Sequence, residues 1–222
     1  LYTRLHTNGS LLTESLSRKI IQAGLDRLSF SFDGYDKKTY EKIRIGGNFN
    51  KTVNNIIQLL KIKKELRSKK PEVAIEVINF KQLKGEKHRE EKEKFLNYFK
   101  NLQLDSFVHK ELHNWAGEFK KSEELNNFSI CTFPWNALVI YWDGSVLPCT
   151  QDFFGYNIVG NVKDSSIKEI WNNKKMVYLR KKLALREIKE FKACSNCDRL
   201  ERKGFLGAPK EYLWKFITKR MP

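Results

Sequence analysis

The sequence predicts an α/β fold, in which parallel strands alternate with helices and a small α+β domain follows. Strand-like and helix-like patterns alternate through the first hundred residues with short connections, which is typical of parallel β/α units. The alternation stops near residue 118, before a polar connector at 122–129, and all four cysteines lie beyond that point. We therefore predict two domains, 1–118 and 119–222.

The first domain should contain a sheet of about four parallel strands with helices on one side. Thr13 and Asn50 are suited to cap its first two helices. Asn8-Gly9 and Asp33-Gly34 mark turns after the first two strands. Functional side chains in such sheets gather in the loops that follow the strands. We predict strands at 2–7, 27–32, 73–80 and 105–112, and a charged helix at about 86–101 before the last strand.

The second domain should open with a β-hairpin at 137–149, because Asp143-Gly144 is a strong signal for a tight turn between apolar runs. The second strand of this hairpin ends on Cys149. After the hairpin we predict a short strand at 158–162, helices at 165–173 and 176–191, and a knuckle-like loop at 193–200.

Composition and charge exclude several classes of protein. The chain of 222 residues is 41% hydrophobic and 13% aromatic, which indicates a globular protein. No apolar run approaches the ~20 residues of a membrane helix, and the residues given show no signal-peptide pattern, so we expect a cytoplasmic protein. The net charge is +16, but the lysine-rich runs at 61–70 and 86–95 have the pattern of solvated helix surfaces. Without a nucleic-acid fingerprint, the charge alone does not predict nucleic-acid binding.

The four cysteines predict a metal centre. Seventeen residues separate Cys131 from Cys149, forty-four separate Cys149 from Cys194, and two separate Cys194 from Cys197. The C-x-x-C loop brings two sulfurs to one metal centre, and the other two cysteines can complete a set of four thiolates. Both tetrahedral zinc and a four-iron cluster accept four thiolates, and the spacing alone leaves both open. Four unrelated core cysteines are the plainer alternative.

The region from Cys131 to Cys197 resembles the SPASM/twitch auxiliary-cluster domain of the radical S-adenosylmethionine (SAM) enzymes. The motif of that family is similar to Cys131 followed by Gly144-SVLP-Cys149, and its downstream C-x-x-C fits Cys194 and Cys197. IVGNVKDSSIKEIWN (158–172) is similar to its GN…IW signature. Four cysteines match the shorter twitch form, in which one [4Fe-4S] cluster is fully ligated.

The first domain is similar to the radical SAM partial (β/α) barrel, through HTNG (6–9), SFSFDG (29–34) and YEKIRIGGNFNKTVNNI (40–56). The C-x-x-x-C-x-x-C loop that binds the second, SAM-coordinating [4Fe-4S] cluster in this family is absent, as is its Gly-Gly-Glu motif. Since both precede these strands in the family and the chain begins at Leu1, we expect a C-terminal fragment that is inactive alone.

The resemblance implies several site residues. Ser31 and Arg44 match the serine and arginine that contact the methionyl carboxylate of SAM. Asn79 and His113 follow later strands, where adenine contacts lie in the family. Asp152 lies near the position of an acidic residue that serves some relatives as a base. A turn role is the alternative for Asp152, and we prefer a turn role for Asp33 and a core position for His6.

The resemblance therefore implies an oxidoreductase or maturase that abstracts hydrogen from a peptide or small-molecule substrate by a 5′-deoxyadenosyl radical. An electron donor such as flavodoxin or ferredoxin is the implied protein partner. The alternative from a different class is a zinc-stabilised module with four cysteine ligands, which binds an acidic partner through the +16 charge. Iron–sulfur proteins are coloured and zinc proteins are not, so absorbance distinguishes the two.

Overall fold

The computed structural model describes residues 1–78, 88–110, 112–119 and 130–200, and the backbone alone at 86–87, 204–205 and 208–209. The chain divides into two compact units, Leu1–Leu112 and His113–Pro222. The predicted domain boundary after residue 118 lies six residues beyond this division. Among the described residues, no helix has both the length and the apolar character that a membrane crossing requires.

The first unit is a four-stranded parallel sheet in the order β1-β2-β3-β4, which confirms the predicted α/β fold. Its elements are β1 (Arg4–Thr7), α1 (Glu14–Gln22), β2 (Arg27–Ser31), α2 (Lys37–Ile43), α3 (Phe49–Glu65), β3 (Glu72–Ile78), α4 (Glu86–Asn97) and β4 (Ser106–Lys110).

One face of this sheet carries the core. The large side chains of β2 and β3 that point to this face are fully buried and join residues from α1, α3 and α4 in one apolar cluster. Phe32 and Phe95 stack with ring centroids 4.8 Å apart, which ties the end of β2 to α4. Helices therefore cover this face, as the alternation of strand and helix predicts.

The opposite face of the sheet is polar and centres on Glu76, whose side chain is only 5% exposed. Arg4 Nη2 lies 2.9 Å from one carboxylate oxygen, and His6 Nδ1 lies 3.3 Å from the other. Lys110 Nζ also pairs with the second oxygen. Burial would raise the pKa of Glu76, but Lys110, His6 and Ser29 outweigh it and hold that pKa below its ordinary value. His6, which is 44% exposed, is therefore not the core histidine expected.

The second unit contains a three-stranded antiparallel sheet in the order β5-β6-β7, with helices after it. The predicted hairpin is confirmed, since Val139 pairs with Leu147 across the Asp-Gly turn. Its elements are α5 (Phe133–Asn136), β5 (Val139–Ile140), β6 (Ser145–Leu147), β7 (Gly160–Asn161), α6 (Ile167–Asn172), α7 (Lys174–Ala184), α8 (Lys192–Ser195), a 3-10 turn (Asp198–Leu200), β8 (Gly204–Phe205) and β9 (Ala208–Pro209).

Two predicted boundaries are wrong for physical reasons. Asn48, not Asn50, caps α3, and its side chain accepts a hydrogen bond from Lys51 N at 2.9 Å. The earlier start allows Phe49 to be helical and buried in the core. The helix predicted at 176–191 instead ends at Ala184, because Arg186 adopts a left-handed φ of 64° and the chain folds back.

Candidate metal centre

The hairpin positions Cys149 at the end of its second strand. Asp143 accepts hydrogen bonds from the backbone and hydroxyl of Ser145, at 2.9 and 3.1 Å, and so holds the turn. Val146 and Leu147 are fully buried, which fixes the register of β6. After Pro148 the chain turns at Cys149, and the backbone N–H of Gln151 donates to the Cys149 sulfur at 3.3 Å. The hairpin therefore directs a hydrogen-bonded sulfur inward.

The knuckle supplies Cys194 from the short helix α8 and Cys197 from the turn after it. The backbone N–H of Cys197 donates to the carbonyl of Cys194 at 3.2 Å, which closes the C-x-x-C loop. Cys131 lies before α5 and packs with Cys194 against the apolar side chains of α7. Three separate segments thus bring their sulfurs to one region of the second unit.

All four cysteines line a single cavity of about 30 Å³. This space exceeds the ~10–15 Å³ that one water molecule needs. Three polar residues, Asp152, Asn157 and Arg199, reach the same cavity. Apolar side chains form most of the remaining wall, namely Pro134, Pro148, Leu179, Leu183, Ala193 and Leu200. A cavity with four sulfurs and a mostly apolar wall fits a thiolate-bound cluster, because a low-dielectric shell tunes such centres.

The thiols are held in their neutral form in the absence of a metal. Burial raises the pKa of Cys149 to about 11 and that of Cys197 to about 12. Burial also raises the pKa of Cys194, and mutual repulsion among the four sulfurs adds to the effect. Thiolates in this cavity therefore need a compensating positive charge, and metal binding would release protons from the site.

A segment at 113–119, here called the strap, lies against the knuckle. Asn114 N donates to an Asp198 carboxylate oxygen at 2.8 Å, and Asn114 Nδ2 donates to the Asn196 carbonyl at 2.7 Å. Asp198 N returns a bond to Asn114 Oδ1 at 3.2 Å. Three consecutive residues of the strap, at 115–117, have positive φ angles. Such backbone costs free energy, so the contacts to the knuckle must hold it in place.

Gly117 should be intolerant of any side chain. A Cβ at this position would lie 2.4 Å from Asn196 Cβ, and the φ of +88° strains an L-residue as well. We expect Gly117→Ala to lower the free energy of unfolding by about 1–3 kcal/mol, measured by urea denaturation. Gly24→Ala is the matched control, since Gly24 has a φ of +73° but no atom within 4 Å of the added Cβ. Equal losses in both variants would show that the strap contact contributes nothing.

The predicted SAM residues in the first unit lie close together in the chain but make different contacts. Ser31 ends β2 on the polar face, in register with Glu76. Arg44 follows α2, and its Nη2 donates to Asp33 Oδ2 at 2.6 Å. Asp33 also accepts a bond from Ile78 N at 3.0 Å, so it does more than form the expected turn. Arg44 thus contacts the segment two residues beyond Ser31.

The other predicted site residues have varied positions. Asn79 lies outside the described residues. His113 belongs to the strap, where its Nε2 lies 3.3 Å from Arg199 Nη2. Asp152 is 1% exposed and accepts the backbone N–H groups of Tyr156 and Asn157 at 2.9 and 2.7 Å. These bonds give Asp152 a turn-forming role at the cavity wall, and its role as a base stays a prediction.

Sequence reasoning missed Asn114 and Arg199. Arg199 follows the C-x-x-C motif by two residues, but the sequence does not show that its charge lies beside the four sulfurs. Asn114 lies 84 residues before its partner Asp198, so no local pattern connects them.

Comparisons with known proteins agree with this geometry. Residues 131–198 match the SPASM family, described as an iron–sulfur cluster-binding domain. The tungsten-containing aldehyde ferredoxin oxidoreductase cofactor-modifying protein of Pyrococcus furiosus is 24% identical over 226 residues, covering 79% of this chain and 60% of that protein. The SAM-dependent 2-deoxy-scyllo-inosamine dehydrogenase of Niallia circulans is 35% identical over 68 residues, covering 31% and 27%. The chain thus spans less than two thirds of both relatives.

Among solved structures, native anSMEcpe with bound AdoMet and the Cp18Cys peptide aligns with a TM-score of 0.53. The alignment covers 97% of this chain and 72% of that structure at 16% identity, a level that establishes likeness of fold. The chain therefore has an α/β fold like that of anSMEcpe, and its residues 131–198 are similar to the SPASM iron–sulfur cluster-binding domain.

Proposed function

We propose that this chain is part of a radical SAM/SPASM enzyme that oxidises or matures a peptide or small-molecule substrate. In such an enzyme, SAM and the cluster that binds it would supply a 5′-deoxyadenosyl radical for hydrogen abstraction, and an auxiliary [4Fe-4S] cluster would serve electron transfer. The observation that carries the proposal is the convergence of all four cysteines on one cavity, within the range that matches the SPASM family.

The residues of the second unit support the auxiliary cluster in three ways. Cys131, Cys149, Cys194 and Cys197 would be its ligands. The backbone N–H of Gln151 donates to the Cys149 sulfur, which stabilises the thiolate form. The apolar wall excludes water, so each charge and hydrogen bond near the sulfurs has a larger effect on the centre.

Iron content is the direct test of this function. After anaerobic reconstitution with iron and sulfide, we expect the 222-residue chain to bind about four iron atoms and to absorb near ~400 nm, as four-thiolate clusters do. Stoichiometric zinc with no visible absorbance would instead support the zinc-stabilised module. Within the described part of the chain, no contact specifically favours that alternative.

Substrate class follows from the relatives only in outline. One relative is named for cofactor modification, another for oxidation of an aminocyclitol, and the aligned structure holds a peptide. Both substrate classes, peptide and small molecule, therefore belong to the proposal. A flavodoxin or ferredoxin is the proposed electron donor, because hydrogen abstraction followed by oxidation requires one-electron transfer in both directions.

SAM binding in the first unit forms a second part of the proposal, with Ser31, Arg44 and Asn79 as contacts. The geometry of Arg44 supports its role: Asp33 binds one Nη, while the buried Nε lacks a partner among the described residues. A guanidinium fixed at one end can offer its remaining donors to a carboxylate.

In the intact protein, Arg44→Lys should weaken SAM binding about tenfold or more, because a charged hydrogen bond is worth ~1.5–3 kcal/mol. Lysine keeps a positive charge for Asp33, so the fold should survive the change. Calorimetric titration with SAM measures the effect. Arg18→Lys is the control, because Arg18 pairs with Glu14 and Glu65 on an exposed surface. Unchanged affinity in Arg44→Lys would remove Arg44 from the SAM site.

A further inference from the structure

Arg199 is the positively charged residue that lines the cavity of the four cysteines. Its guanidinium lies over the ring of Phe133, 5.0 Å from the centroid. Phe133 begins the helix that follows Cys131, so this contact links the segment after the first cysteine with the segment after the last one, Cys197. His113 of the strap lies 3.3 Å from Arg199 Nη2 on a second side. The side chain is therefore fixed by two independent segments.

The Nε–H group of Arg199 has no acceptor in the described part of the chain, although the atom is buried. A buried donor without a partner is costly, since an unsatisfied charged group loses more than ~1–3 kcal/mol. The cavity that Arg199 lines contains four sulfur atoms, and sulfur accepts hydrogen bonds from N–H groups. The missing acceptor therefore points to a group bound among these sulfurs.

We propose that Arg199 donates its Nε–H to a sulfur of the auxiliary cluster and raises the reduction potential of that cluster. This inference rests on the proposed function. Reduction adds one negative charge to the cluster, and a fixed cation with a directed hydrogen bond stabilises the reduced form more than the oxidised form. Phe133 and His113 act as positioning residues, because they hold the guanidinium without touching the reacting centre.

The strap gives this arrangement its rigidity. Asn114 bonds to Asp198 and Asn196, the residues on either side of Cys197. These bonds fix the backbone at Asp198, the residue directly before Arg199. A guanidinium on such a backbone loses little entropy when it binds, which makes its hydrogen bond effective.

The test is a redox titration of the cluster-loaded chain, followed by absorbance and electron paramagnetic resonance. Arg199→Met removes the charge and the donor while retaining length and apolar contact. We expect the equilibrium constant for reduction to fall about tenfold, which is ~59 mV for a one-electron couple. Arg199→Gln retains an N–H donor without charge, so its reduction potential should lie between those of Arg199→Met and wild type. In the reduced wild type, an exchangeable proton coupling from Arg199 should be present beside that of the Gln151 N–H, and only the Arg199 coupling should be lost in Arg199→Met.

Arg180→Met is the matched control. Arg180 also stacks on an aromatic ring, 4.3 Å from Trp171, and donates to two carbonyls, but it does not line the cysteine cavity. Its loss should lower stability and leave the potential unchanged. If Arg199→Met binds no iron, the test is made by comparing the reduction potential of Arg199→Gln with that of wild type. A wild-type potential in a fully loaded Arg199 variant would overturn the proposal, whereas wild-type protein that binds no cluster would overturn the proposed function itself.

Discussion

Replacing Cys197 by serine should abolish iron binding at the proposed cluster site. Cys197 is the most buried of the four cysteines, with 7% exposure, and it closes the knuckle against Cys194. Serine fits the space but provides no thiolate, so the cluster would lose one of four ligands. We expect iron and acid-labile sulfide to fall from about four per chain to near zero after reconstitution. The thermal transition of the second unit should also move down, since metal binding and local folding are linked.

Ser195→Ala is the control for Cys197→Ser. Ser195 lies inside the same C-x-x-C loop, and its hydroxyl donates to the Lys192 carbonyl at 3.3 Å, away from the sulfurs. It should retain full iron and the absorbance near ~400 nm. Normal iron content in Cys197→Ser would contradict the assignment of Cys197 as a ligand, whatever the other cysteines do.

The second large effect is expected at Glu76. Its carboxylate pairs with the cations Arg4 and Lys110 and contacts His6 on the polar face of the sheet, while its own side chain is 5% exposed. Glu76→Gln keeps the shape but leaves Arg4 and Lys110 without this counter-charge. Both cations are more than 40% exposed and can turn to water, which limits the loss. We expect the free energy of unfolding to fall by about 2–4 kcal/mol at pH 7.

The pH dependence provides an independent measurement. The pKa of Glu76 lies below its ordinary value of 4.5 in the folded state. Its contribution to stability is therefore complete above pH 4.5 and lost as the pH falls through the folded pKa. Wild-type stability should decline in this window, while that of Glu76→Gln should decline less. Glu72→Gln is the control, because Glu72 is 41% exposed and pairs with Arg27, so its loss should stay below ~1 kcal/mol. An equal decline in wild type and Glu76→Gln would contradict the role of Glu76.

Local signals were enough to predict most of the fold. Thr13 caps α1 as expected, because a hydroxyl before an apolar-periodic run satisfies a free N–H wherever the helix packs. The Asp143-Gly144 turn likewise determines its hairpin without help from the rest of the chain. The four parallel strands followed from alternation alone.

The errors arose where packing chooses between equal local options. Asn48 and Asn50 are equally good caps, and the choice was made by Phe49, which is buried beside Phe32 and Tyr40. The early end of α7 has no glycine to signal it. Ile188 there returns to pack with Leu183, which forces Arg186 into the left-handed region.

For the candidate site, too, local sequence signals predicted one part and long-range packing decided the rest. Cysteine spacing predicted which sulfurs belong together, since metal ligands must be thiolates or similar donors in any fold. The environment of those sulfurs depends on contacts between segments far apart in the chain. Glu76 could have been suspected from its position in an otherwise apolar strand, because a buried carboxylate requires partners. Its partners Arg4 and Lys110 become evident only once the register of the sheet is known.

The 84-residue separation of Asn114 and Asp198 has a consequence for biosynthesis. The ribosome releases Cys131 and Cys149 well before the knuckle, and the 44 residues between Cys149 and Cys194 take about 2–9 s to translate at ~5–20 residues per second. During that interval Cys131 and Cys149 have been synthesised but Cys194 and Cys197 have not, and the knuckle that the strap contacts does not yet exist. On the proposed function, the set of cluster ligands is complete only after the knuckle has been translated, and oxidation of the early thiols competes with cluster delivery. Yield of loaded protein should depend on the reducing power of the expressing cell as much as on its iron supply.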